Sequence, residues 1–200
     1  GAEVTAPNSD GDTITFHSVV VCPVDRPVLG GMEQSLSGSP WGFEPVAGYM
    51  NENQESIAMS TNPSSWPSSW PDKSSDWNGQ WNGFFGQDVQ NIQQESFYVM
   101  NDNNDQEFNF SQNNQWGVEF KPDIDNPLLN GLGLEVKVRG MQWGQFLAQD
   151  CIFWLYEITN TSATDYNKVV FGELVGTYVG ATGTDDSAME YNDDWSFFDV

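Results

Sequence analysis

The chain has 200 residues, with 29 Asp and Glu against 6 Lys and Arg, for a net charge of -23. So few cations exclude nucleic acid and an anionic membrane surface as partners, because binding to phosphate needs a basic face. No apolar run reaches the ~18 residues of a membrane-spanning helix, and His17, the only histidine, cannot build a multi-histidine metal centre.

The charge comes from a shortage of bases more than an excess of acids. Cations are its natural counter-charge, either as a diffuse atmosphere around a solvated surface or as calcium held by loops. The chain opens on Gly1 and stops at Asp199-Val200, directly after the apolar run WSFF. Both ends predict a processed protein or a piece of a longer one.

Residues 1–12 are polar and read as an N-terminal arm or linker. Asn8, Asp10 and Asp12 alternate there with Gly11 among them, which fits an Asx-rich turn better than a calcium loop, because no closing Glu follows. The remainder, 13–200, reads as one domain with a long loop insertion at about 40–116. Thr13 to Pro23 is predicted as a strand carrying His17 and Cys22. Cys22 and Cys151 both lie in strand-like apolar runs and are predicted to form a disulfide if the chain is exported.

The insertion contains WPSSWPDKSSDWNGQWNGFFG, in which Trp66 and Trp70 precede proline and Trp77 and Trp81 precede Asn-Gly. Proline and glycine at this density forbid a continuous helix and predict successive turns. Trp66, Trp70, Trp77 and Trp81 either pack down as a lid over a sheet or form a platform on which a glycan stacks. Short strands are predicted near Ser56–Met59 and Phe97–Met100. After them, Asp102, Asn104, Asp105 and Glu107 crowd hard oxygen donors into six residues, a candidate calcium site. Asp185 and Asp186 open a second acidic loop of the same kind.

From Leu132 to Trp143, Leu134, Val136 and Val138 alternate with Glu135, Lys137 and Arg139, the period of a half-buried strand. Cys151 to Thr159 is apolar on both faces and predicts a central strand. Lys168 to Val179 is apolar again, so the three are predicted to form a β-meander, with a core of Val136, Val138, Phe153, Leu155, Val169, Phe171 and Val175. β-Branched and aromatic residues dominate throughout, and the fold class expected is all-β, an antiparallel β-sandwich of immunoglobulin-like or jelly-roll-like type with a long Trp/Pro/Gly-rich loop region.

The run YEITNTSATDYNKVVFG, Tyr156 to Gly172, resembles one in immunoglobulin-like modules of large secreted bacterial surface proteins. In those modules a strand ends in Asn, a polar turn follows, and the next strand opens with paired valines. The resemblance covers about Ile152 to Gly180. It implies a sandwich module at the cell surface with a structural or adhesive role, and it carries over no functional residues.

Three functions follow as expectations. The first is a non-catalytic extracellular or cell-surface module, structural or adhesive and calcium-stabilised, with neighbouring subunits as partners. The second is a carbohydrate-binding module that stacks a glycan on the tryptophan loop. The third is a glycoside hydrolase with a carboxylate pair, for which no catalytic residue can be named from sequence.

Overall fold

The structure, a computed structural model, describes residues 1–18, 20, 41–54, 56–89, 91–108 and 117–173. Contacts divide the chain into a unit Gly1–Val169 and a unit Val170–Val200, of which only Val170–Glu173 is described. The chain is all-β with antiparallel sheets, as its periodicity predicts. Among the described residues no helix is long and apolar enough to cross a membrane.

The first strand corrects the expected N-terminal arm. β1 (Ala2–Pro7) pairs antiparallel with β2 (Thr13–Ser18). Ala2, Val4 and Ala6 are small and apolar at alternate positions, so one face of β1 is buried. They join Phe16, Leu132 and Leu134 in one apolar cluster. The turn between the two strands is closed by Asn8, whose Oδ1 accepts the backbone N–H of Asp10 at 3.0 Å and of Asp12 at 2.8 Å. That is the Asx turn the spacing implies. His17 is exposed on β2 and sits 3.2 Å from Glu3 across the hairpin.

The short strands β3 (Glu44–Pro45) and β4 (Ala58–Met59) both pair with β7 (Gln94–Asn101), the long strand that follows the lid hairpin of β5 (Asn82–Gly83) and β6 (Gly86–Gln87). β7 pairs with β8 (Leu134–Gln142), and β8 with β9 (Ile152–Asn160). The meander is therefore β7–β8–β9, displaced by one strand from the expected one. In its described part, 168–173, the stretch expected as the third member does not pair with β9. Val169 instead bridges to Ala2, and Lys168 O accepts the Glu3 N–H at 3.0 Å.

This displacement also corrects the expected core. Val136 and Val138 are buried, but Phe153, Leu155, Val169 and Phe171 are exposed, and Val175 lies outside the described residues. Among the described residues β9 has a strand on one side only, so its apolar side chains lack the cover that a central strand would have.

The register puts Phe97, Arg139 and Leu155 side by side on one face of the sheet, with Val99 and Lys137 along the same face. That face carries the tryptophan loop. On the opposite face Gly140 pairs with Trp154, whose ring lies over it: a Cβ at Gly140 would come 2.9 Å from the indole and 2.8 Å from Ser96 Oγ.

Candidate functional site

The tryptophan loop is a packed lid. Its 3-10 turns, Pro63–Ser65 and Ser75–Trp77, and the β5–β6 hairpin follow from the Pro and Asn-Gly signals that break any helix. Trp70 and Trp81 are buried, and Trp66 and Trp77 are half-buried against the same cluster, which includes Phe97, Val99 and Ala58 of the sheet. Trp70 meets Trp81 edge to face at 5.8 Å and lies 6.0 Å from Phe97.

Three of the lid's indole N–H groups are satisfied within the protein. Trp66 donates to Met59 O at 2.7 Å, Trp70 to Gln80 O at 2.9 Å, and Trp81 to Glu95 Oε2 at 2.9 Å. Each aromatic that packs down removes roughly 150–250 Å² from water. At about 25 cal/mol per Å² that is on the order of 4–6 kcal/mol, enough to offset the ordering of several loop residues. Of the four rings proposed as a sugar platform, Trp70 and Trp81 thus have both faces occupied by protein.

Beneath the lid, the buried Glu95 and the half-buried Arg139 form an ion pair. Glu95 also accepts the Phe84 backbone N–H at 3.0 Å, and Arg139 donates to Asn82 O at 2.8 Å while its guanidinium lies 3.9 Å over the Phe97 ring. Burial pulls the Arg139 guanidinium below its ordinary value, and the Glu95 carboxylate opposes that shift. The pair thereby clamps the lid, through Trp81, Asn82 and Phe84, onto β7 and β8.

Beside this clamp a cleft of about 240 Å³ opens between the lid and strands β8 and β9. Asp72, Lys73 and Phe84 form its lid wall, Lys137, Leu155 and Glu157 its sheet wall, and Phe97 lies at its floor. Phe84 is 50 % exposed and stacks edge to face on Phe85 at 5.1 Å in the turn between β5 and β6. Asp72 accepts the Asn82 side-chain N–H at 3.2 Å and sits 3.9 Å from Lys73, whose ammonium also lies 4.7 Å over the Trp77 ring. Counting Arg139, three of the chain's six Lys and Arg line this one cleft. None of its charged side chains was singled out from the sequence. The legible signals were the exposed FF pair between two glycines and the period-two Lys137 and Arg139, which needed the sheet to bring them to the lid.

The proposed calcium ligands lie elsewhere, at the end of β7. Asp102, Asp105 and Glu107 are buried and Asn104 is half-buried. Asp102 accepts the Leu132 and Leu134 backbone N–H groups on separate oxygens, each at 2.8 Å. Asp105 accepts the Glu107 N–H at 3.2 Å, and Glu107 accepts the Ser18 hydroxyl at 2.8 Å. Asn104 accepts the Gly42 N–H at 3.3 Å. These oxygens staple the end of β7 to the approach to β8 and to β2. Gly131 is at φ +57°, and a Cβ there would come 2.7 Å from the Asp102 carboxylate, so the staple requires glycine. Burial raises Asp102 to about 6, against the N–H groups of Leu132 and Leu134, which hold it down. Among the described residues no three His, Cys, Asp or Glu converge as a metal-binding group. Asp185 and Asp186 lie outside the described residues. Cys151 is exposed at the start of β9, and Cys22, its proposed partner, also lies outside the described residues.

Comparison with protein-family models, with curated proteins and with solved structures finds no match to this chain.

Proposed function

We propose that the chain is a non-catalytic extracellular adhesive module that holds a saccharide in the cleft between the tryptophan lid and strands β8 and β9. One observation carries this reading: a clamped, pre-formed cleft gathers half of the chain's scarce cations, two carboxylates and an exposed aromatic ring. Sugars are recognised by that mixture, with an aromatic face for the C–H side of the ring and charged or amide groups for the hydroxyls. The volume falls below the about 300 Å³ at which pockets for drug-sized ligands begin, which suits one sugar unit or a chain end. The platform role passes from the tryptophans to Phe84, and the tryptophans become the rigid support behind it.

Two features weigh against hydrolysis. Glu157 is exposed, and Asp72 is held by Asn82 and Lys73. Both carboxylates are exposed, outside the kind of enclosed apolar pocket in which a glycosidase seats its acid. Calcium at the 102–107 loop would have to compete with the N–H groups that already occupy both Asp102 oxygens.

A glycan array followed by calorimetric titration tests the reading. Binding should weaken about two- to tenfold in Phe84→Ala, the scale of one aromatic contact. A clean array, or binding indifferent to Phe84, would leave a purely structural role for the module.

A further inference from the structure

We propose that the cleft selects a carboxylate-bearing sugar, a uronate, and seats its carboxylate on the Lys137 ammonium. This rests on the saccharide reading above and narrows it to one ligand class.

Two of the cleft's three cations already have carboxylate partners. Arg139 is committed to Glu95 and to Asn82 O, with its flat face on Phe97. Lys73 is held between Asp72 and the Trp77 ring. Lys137 is half-buried on β8 and makes no hydrogen bond or ion pair among the described residues, although Glu157 stands directly opposite it in the β8–β9 register. An ammonium with no acceptor in the protein is open to an anion that enters the cleft, which it meets with a charge-assisted hydrogen bond.

One uncommitted positive charge matches a monovalent carboxylate better than a dianionic phosphate. In a chain of net charge -23 the long-range field repels anions, so selectivity for an acid must come from this local contact. The sugar ring attached to the carboxylate then lies against Phe84 and Leu155, and the exposed Glu157 accepts its hydroxyls.

The experiment is calorimetric titration with trimers of galacturonate, mannuronate and glucuronate, each against its methyl ester, which keeps the ring and removes the charge. A hexamer of glutamate serves as a non-sugar carboxylate. At least one acidic trimer should bind about tenfold more tightly than its ester, the scale of one charge-assisted hydrogen bond. Lys137→Gln should abolish that preference, and Lys137→Arg should restore most of it. Circular dichroism of both variants confirms folding, and Lys137→Met provides a second uncharged variant if Gln fails to fold.

Esters bound as tightly as acids would overturn the uronate proposal and leave the saccharide reading intact. An acid preference that survives Lys137→Gln would place the carboxylate elsewhere and also overturn it. Glutamate hexamer bound as well as the sugars would mean that a peptide carboxylate is the ligand. No binding by any sugar, acid or ester, here or on the array, would remove both the proposal and the reading beneath it.

Discussion

Trp81 donates its indole N–H to the Glu95 carboxylate at 2.9 Å, and both side chains are buried. One residue belongs to the lid and the other to β7, so this bond and the Glu95–Arg139 pair behind it tie a loop made of turns to the long strands. The Glu95 amide is itself bound to Ser60 Oγ at 2.8 Å, which anchors the same residue from the β4 side.

Glu95→Gln should therefore destabilise the fold by about 2–4 kcal/mol, because it leaves the half-buried Arg139 without its counter-charge. The double variant Glu95→Gln/Arg139→Met should lose less than the sum of the single changes. Equilibrium urea unfolding measures both. A loss below about 1 kcal/mol for Glu95→Gln would show that apolar contact alone holds the lid.

Phe97 and Phe153 should behave differently although both are phenylalanines on the same sheet face. Phe97 is covered by Trp70, Tyr49 and Arg139, and Phe97→Ala should cost about 3–5 kcal/mol. Phe153 is 50 % exposed and meets Trp143 edge to face at 5.4 Å, so Phe153→Ala should cost on the order of 1 kcal/mol. Equal losses in thermal or chemical unfolding would mean that β9 is more covered than its described neighbours make it.

Gly140→Ala should cost about 1–3 kcal/mol, since the new methyl meets Trp154 and Ser96. In a Trp154→Ala background the same change should cost less, because half of the obstruction is gone. A double-mutant cycle reads the coupling. Strict additivity would show that the indole does not rest on Gly140.

Asp102 should titrate near pH 6 in the folded protein, well above its ordinary 3.8. The native state then binds more protons than the unfolded chain between those two values. This group therefore makes stability fall as pH rises from about 4 to about 6, and leaves it level above that. The effect opposes that of ordinary paired carboxylates, whose stabilisation is lost on acidification. Carboxyl-carbon NMR of the folded protein measures the midpoint directly. A midpoint near 4 would mean that the Leu132 and Leu134 N–H groups fully offset burial.

Local chemistry was legible without the fold. The alternation of Leu134, Val136 and Val138 with Glu135, Lys137 and Arg139 is β8, because a strand's two faces are written in successive residues. The Asn8 turn and the breaking of the lid into short turns were readable for the same reason: each depends on residues a few positions apart. The periodicity of β1 was also present, but its small alanines bury too little surface to stand out from a polar arm.

Pairing across distance was decided only by tertiary structure. That β7 takes the side of β8 opposite β9 depends on a pairing across a long connection, which periodicity does not encode. The sequence shows the oxygens of Asp102 and Glu107, but not the Leu132 and Leu134 N–H groups that meet the first or the Ser18 hydroxyl that meets the second. Glu95 meets Arg139 across 44 positions, and Lys137 reaches the lid only because the sheet carries it there. A side chain's type is a property of the sequence, whereas its partner, and so whether its charge is already satisfied, is a property of which distant backbone is brought beside it.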